Sequence, residues 1–412
     1  MRIVKTGAIL ICIIALLLCV CAQAMTRDQL RDLYAAVPFP DQSPYLETPD
    51  TASFSAIGRI SPEAETSAIA YLNFIRAVAG LDGVSVFDLY TLRAQNASLL
   101  LAANDEITHD PARAEGMSEG LYESARLGAR ECNLVKFNWD RPQILTDAIA
   151  YFARDDGTAN LSTLSHRRWL LNPRMAETGF GLAKSESGMS YAAMYAVDTG
   201  NDASAWDYVA WPCGGAFPVE LMRRDLAWSV SFNESIYDLS ASDVHITLTN
   251  LSTGDTFSFD PRRETGDGFC TLSPAICGSG ACAIFRPNHA DDFEYQQNQI
   301  FRVSITGLKK TDGADASIEY TCEMASLFAQ DVANIEISDL TAQLRAGENM
   351  QLTAAVIPAY ADDLTIVWSS TDPEIATVDA NGYVTAHRAG ECDIIASDAN
   401  GKYDACRLTI TE

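Results

Sequence analysis

The stretch "TLSHRRWLLNPRMAETGFG", residues 163–181, poses the question on which the reading of this chain turns. His166 stands between Ser165 and the pair Arg167-Arg168, and the apolar run Trp169-Leu170-Leu171 follows. Asn172-Pro173 punctuates the end of a helical turn, because proline lacks the N–H that a continuing helix needs. Gly179 and Gly181 flank Phe180, where glycine permits a turn or a close strand contact. Ser165 cannot serve His166 as a dyad, since adjacent residues on a helix or strand do not face each other. Trp169 and the two leucines read as core, and the arginines as partners for nearby acidic groups. Most of the stretch is therefore scaffold. His166 is the exception, and its partners must come from elsewhere in the chain.

Upstream, "SPEAETSAIAYLNFIRAVAG" opens with Ser-Pro-Glu, a helix start, and places Ala68, Leu72, Ile75 and Val78 at helical spacing. "FDLYTLRAQNASLLLAANDEITH" continues that period as far as His109, and "PQILTDAIAYFARD" supplies a third helix. Residues 25–60, rich in Pro, Asp, Ser and Thr, read as an extended lead-in. Downstream of residue 203 the texture changes. "AWSVSFN", "DVHITLTNL", "DTFSFDP", "CAIFRP", "FRVSITGL" and "SIEYTCEM" alternate apolar and polar residues between turn clusters, the pattern of a β-sandwich over 203–328. A second such zone covers 332–412, with a turn at Asp379-Ala380-Asn381-Gly382 and a buried-looking Trp368.

The first 24 residues read as a secretory signal peptide: Arg2 and Lys5, an apolar run from Gly7 to Val20, then Ala22-Gln23-Ala24. No later segment approaches the roughly 18–20 apolar residues a membrane span needs. About 388 residues remain, enough for two or three domains. The net charge of −26 becomes about −28 once Arg2 and Lys5 leave, a surface that repels nucleic acid and anionic lipid. Eight cysteines remain, an even number that suggests disulfides in an exported chain. Cys392 and Cys406 flank a hairpin about Asp398-Ala399-Asn400-Gly401, which would set them nearly opposite each other.

Two resemblances rest on these segments. "LRAGENMQLTAAVIP", "TIVWSSTDPEIATVDANGYVTAHRAGECDIIASD" and "CRLTI" closely resemble the bacterial immunoglobulin-like domains of group 2. That likeness implies a sandwich used as a spacer or adhesion module on exported proteins. Residues 61–200 resemble the CAP superfamily (cysteine-rich secretory, antigen 5 and pathogenesis-related proteins) in its bacterial form. The pieces that carry it are "AYLNFIRAVAGL", the helix ending at His109, and "SHRRWLLNPRMAETGFG". This resemblance implies an α-β-α sandwich whose cleft, lined by two histidines and two acidic residues, can take a divalent cation such as zinc. His109 matches the first family histidine and His166 the second. The family's Gly-Glu-Asn-Leu segment falls on Glu131-Cys132-Asn133-Leu134, so Cys132 occupies the acidic position and Glu131 is displaced by one. Asp155, with Asp156 adjacent, stands where the acidic residue after the third helix is expected.

The fold expected is therefore multidomain: an α-β-α unit, a β-sandwich and a C-terminal immunoglobulin-like sandwich. Two imidazoles and one carboxylate would suit zinc and leave a position for water, so His109 and His166 are the candidate metal ligands, with Asp155 and Glu131 beside them. "GMSEG" at 116–120 spells G-x-S-x-G, but "HDPARAE" before it cannot form the buried strand that a nucleophile elbow requires. The functional expectation is a non-enzymatic, secreted or surface binding protein, whose cleft holds a small ligand or cation. Its partner would be a cell-wall or host-surface glycan, lipid or protein, with no nucleic acid and no membrane span. The alternative is a metal-assisted hydrolase acting on the cell envelope or on peptides.

Overall fold

The computed structural model describes residues 24–201, 206–275 and 277–412; the expected signal segment lies outside the described residues apart from Ala24. The first unit runs α1 (Arg27–Ala35), β1 (Tyr45–Glu47), β2 (Arg59–Ile60), α2 (Pro62–Val78), β3 (Ser85–Val86), α3 (Asp88–Asn104), α4 (Glu119–Glu131), β4 (Cys132–Phe137), α5 (Ile144–Arg154), α6 (Ser165–Leu170), β5 (Glu177–Thr178), β6 (Phe180–Lys184) and β7 (Ser190–Tyr195). α2 begins where the sequence places it: the Ser61 hydroxyl accepts from the Ala64 N–H, and Pro62 opens the first turn. The lead-in is not merely extended. Thr26 and Gln29 form a capping box that starts α1, a signal outweighed in the sequence by the proline-rich stretch behind it.

Strands β4, β7 and β6 form an antiparallel sheet in that order. Alternation along the strands sends Leu134, Ala183, Tyr191 and Ala193 to one face, packed with Ala94, Ala97 and Leu101 of α3 and Ala129 of α4. Val135, Leu182, Ala192 and Met194 share the main core with Leu72 and Ile75 of α2 and Ile149 and Phe152 of α5. Helices thus cover both faces of a small sheet. α3 lies so close to β6 that a Cβ at Gly181 would fall far below 3.0 Å from the Ala94 carbonyl. A Cβ at Gly179 would strike the Thr91 backbone in the same way. The two glycines of the opening stretch are there for this approach.

The second unit is a sandwich of β8 (Tyr208–Trp211), β9 (Gly215–Pro218), β10 (Trp228–Phe232), β11 (His245–Asn250), β12 (Thr256–Phe259), β13 (Gly268–Ser273), β14 (Cys282–Pro287), β15 (Ile300–Lys309) and β16 (Asp315–Ala325). Its sheets have the orders β13-β14-β10-β8 and β12-β11-β15-β16-β9. Its core, built on Trp211, Phe217, Trp228, Phe285 and Phe301, is continuous with the α2/α5 layer of the first unit. The first two units therefore share one hydrophobic core, where the sequence suggests two.

The third unit comprises β17 (Asn334–Ile337), β18 (Thr341–Arg345), β19 (Asn349–Gln351), β20 (Ala354–Ile357), β21 (Val367–Ser370), β22 (Ala376–Val378), β23 (Tyr383–Ala386), β24 (Gly390–Ser397) and β25 (Tyr403–Thr411). A β18-β25-β24-β21 sheet and a β19-β23-β22 sheet enclose Leu352, Val384, Ile394 and Leu408. Both expected turns form: Asp379 Oδ1 accepts from the N–H groups of Asn381 and Tyr383, Asp398 Oδ1 from those of Asn400 and Lys402. Gly382 and Gly401 take positive φ. Trp368 is only partly buried, at the seam between two small core clusters. The expected Cys392–Cys406 disulfide is not there. The register pairs Cys392 with Leu408 and Cys406 with Ile394, so the thiols sit diagonally on one face rather than opposite, and both are free. This unit is held to the body through Arg31 of α1, which donates to the Ser326 and Phe328 carbonyls and to both Asp362 oxygens, at 2.9 and 2.7 Å. Among the described residues no helix is long and apolar enough to cross a membrane.

Candidate functional site

Asp155 ends α5 in the left-handed region (φ 50, ψ 48) and is almost fully buried. Its Oδ2 accepts from the Arg167 N–H at 3.2 Å, and its Oδ1 from Asn160 Nδ2 at 2.8 Å. His166 Nδ1 lies 3.0 Å from that same Oδ1. The same Nδ1 lies 3.0 Å from Asn160 Nδ2, so it sits between a carboxylate that accepts and an amide that donates. Phe152 packs against the ring at 5.3 Å between centroids, and Asn133 Nδ2 of β4 donates to the His166 carbonyl at 2.9 Å.

His109, in the loop after α3, reaches the end of α4, where its Nδ1 lies 2.6 Å from the Ala129 carbonyl oxygen. A carbonyl only accepts, so this Nδ1 carries a proton. Both histidines line one cavity of about 180 Å³, together with Glu131, Cys132, Ser165 and Trp169. Two sequence segments that are 57 residues apart thus meet, because α4 leads directly into β4 and α6 packs beside α5.

The carboxylates are placed differently from the expectation. Glu131 lines the cavity but is bound at 2.8 Å by Arg93, whose guanidinium also lies over the Tyr195 ring. Asp155 is not a lining residue; it stands behind His166 and orients it. Asp156 pairs with Arg223 at 3.0 Å. Cys132 is buried, and burial pushes its thiol far above the usual range, with the Glu131 charge adding to the effect. Such a thiol is neither an activated nucleophile nor a ready metal ligand. Ser118 of the G-x-S-x-G segment caps α4 through the Leu121 N–H.

A resident zinc needs at least three protein donors. The residues do not fit: two imidazole nitrogens are available, while the nearby carboxylates are engaged by Arg93 or held behind a ring. Among the described residues no group of three or more His, Cys, Asp or Glu side chains is arranged to hold a metal ion. This donor set gives no footing for a hydrolytic step through a resident metal.

Among the described residues, the two arginines next to His166 do not pair with acidic side chains through their guanidinium groups. Arg167 donates to the carbonyls of Ala153, Arg154 and Ala227, the last at 2.7 Å in the sandwich unit. Burial pulls its guanidinium down to about 10, the Asp155 charge opposing, so it remains charged near neutrality. Arg168 donates to the Thr163, Pro274 and Gly280 carbonyls and to Ser273 Oγ. Arg76 of α2 closes the far end of α6 through the Leu170 and Asn172 carbonyls, both at 3.0 Å. Trp169, expected in the core, is only partly buried and forms a wall of the cavity. Arg130 and Asn133 also line it, and the sequence does not single them out, although the place of Asn133 beside Cys132 is a signal that could have.

Residues 331–406 match the family described as Bacterial Ig-like domain (group 2), and this part of the chain is such a domain. Among curated proteins, lacto-N-biosidase of Bifidobacterium bifidum is 42% identical over 69 residues, which is 17% of this chain and 6% of that enzyme. The Ig-like virion protein of Serratia phage KSP90 is 35% identical over 82 residues, 19% of this chain and 32% of the phage protein. The chain thus spans a minor part of the length of these relatives. Among solved structures, an intimin mutant of EHEC O157:H7 is 22% identical with a TM-score of 0.16, covering 18% of this chain and 45% of that one.

Proposed function

We propose that the protein is an extracellular or surface binding protein, whose first unit, a CAP-like α-β-α sandwich, holds a small polar ligand between His109 and His166. One observation carries this reading: both imidazoles line a single cavity with their Nδ1 atoms anchored, His109 on the Ala129 carbonyl and His166 between Asp155 and Asn160. Helices on both faces of a small sheet and the shared histidine cavity support the CAP resemblance. The immunoglobulin-like unit, a module also found in a bifidobacterial glycosidase and a phage virion protein, supports export and display at a surface. A divalent cation entering the cavity would find two nitrogen donors and would need water or ligand oxygens for the rest, which favours exchangeable binding over a resident catalytic ion.

The test is calorimetric titration of the mature chain with zinc as a probe of the paired nitrogens. The expected result is weak binding of one ion per chain, lost equally in His109→Ala and His166→Ala. Tight stoichiometric zinc accompanied by turnover of a peptide or cell-wall substrate would instead establish the hydrolase reading. Binding that survives in either variant would show that the two histidines do not form one site.

A further inference from the structure

A second cavity, of about 320 Å³, lies where the N-terminal ends of α2 and α3 meet β1 and β2, and it shares no lining residue with the histidine cavity. Its volume sits at the lower end of the roughly 300–1,000 Å³ span of small-molecule sites. Leu46, Ile60, Pro62 and Leu92 give it apolar walls, and Leu46 and Leu92 are substantially exposed at 58% and 46%. Gln95 belongs to the lining but has nothing left to offer, because its amide is saturated by the Ile57 carbonyl and by the Leu182 backbone.

Two carboxylates face this space. Glu65 lies in the first turn of α2 and Asp88 in the first turn of α3, positions where the helix dipole favours negative charge. Among the described residues, neither carboxylate has a hydrogen bond or an ion pair. Arg59, the cation in the lining, is paired with Glu47 at 3.8 Å. Burial and the neighbouring Asp88 charge both push the Glu65 carboxyl upward, the behaviour of an acid that lacks a counter-ion.

We propose that this cavity binds a small alkylammonium ion, with its head between Glu65 and Asp88 and its chain along Leu46, Ile60, Pro62 and Leu92. The acid pair rejects fatty acids and other anions, and the apolar walls disfavour a hydrated metal ion, which has no chain to bury.

Calorimetry on the full mature chain with hexylammonium, hexanoate and 1-hexanol as probes tests this. Hexylammonium should bind once per chain and hexanoate should not, with hexanol weaker than the amine. Glu65→Gln and Asp88→Asn, both partly or fully exposed and near-isosteric, should each weaken hexylammonium by about tenfold or more, while Glu186→Gln on a distant turn should leave it unchanged. Hexanoate binding as well as hexylammonium, unchanged affinity in the two amide variants, or no saturable amine binding would each overturn the proposal.

Discussion

Replacing Gly181 by alanine tests the layer packing that brings the histidines together. The new methyl would overlap the Ala94 carbonyl carbon and oxygen, far inside the 3.0 Å that real Cβ atoms keep. Helix backbone cannot rotate away as a side chain can, so α3 must lift by about 1 Å to restore ordinary contact. That lift strains the three hydrogen bonds by which Gln95 joins α3 to Ile57 and Leu182. Overpacking costs typically 1–3 kcal/mol and each weakened buried bond about 1 kcal/mol, which together suggest about 3–5 kcal/mol. Urea unfolding followed by tryptophan fluorescence measures it. Gly120→Ala is the control: it lies in α4 with nothing within 4 Å of an added Cβ, and there alanine should be neutral or stabilising by up to about 1 kcal/mol. A cost below about 1 kcal/mol at Gly181 would refute the close approach of α3 to β6.

Three further outcomes are expected. Arg168→Met strips partners from the Thr163 carbonyl and, in the sandwich, from the Pro274 and Gly280 carbonyls and Ser273 Oγ, and should cost about 3–5 kcal/mol in the same unfolding experiment; a near-neutral result would mean that the two units do not depend on it. His289 is stacked on Phe293 at 3.6 Å with Nε2 3.1 Å from the Tyr295 hydroxyl, and burial pulls it down to about 4. The folded state therefore binds its proton less readily than the unfolded chain, so stability should fall as pH drops from about 6.5 to 4, by about 1–2 kcal/mol after discounting for part exposure. His289→Gln should flatten that slope, and an unchanged slope would assign it to other groups. Finally, a chain of residues 25–412 denatured without reductant should titrate all eight thiols that the structure shows as free; a count of six or fewer would restore a disulfide.

Periodicity and turn chemistry carry much of the fold. Ser61-Pro62 and the Asp-x-Asn-Gly turns work within a few residues, and the sequence places them where the structure does. α1 and α4 are less legible: Thr26-x-x-Gln29 competes with a proline-rich neighbourhood, and α4 begins inside the segment that mimics a nucleophile elbow. The shared core of the first two units is not legible at all, because it depends on which faces of distant strands meet. The same holds at the site. His109 and His166 stand out through family resemblance, yet their pairing is created by α4 running into β4. Asp155 reads as a cleft carboxylate and is instead the residue that orients His166; chain position gives proximity, whereas burial and the reach of one side chain decide between lining a cavity and standing behind a ring. Arg167 and Arg168 read as partners for acidic groups, and only the sandwich supplies the carbonyls that allow their burial.

The most direct test is the imidazole ¹⁵N spectrum of the protein at neutral pH. His109 and His166 should both show a protonated Nδ1 and a bare Nε2, and both Nε2 signals should move together as zinc or a ligand is titrated in. A protonated Nε2 on either ring, or a response confined to one of them, would contradict the two-histidine site.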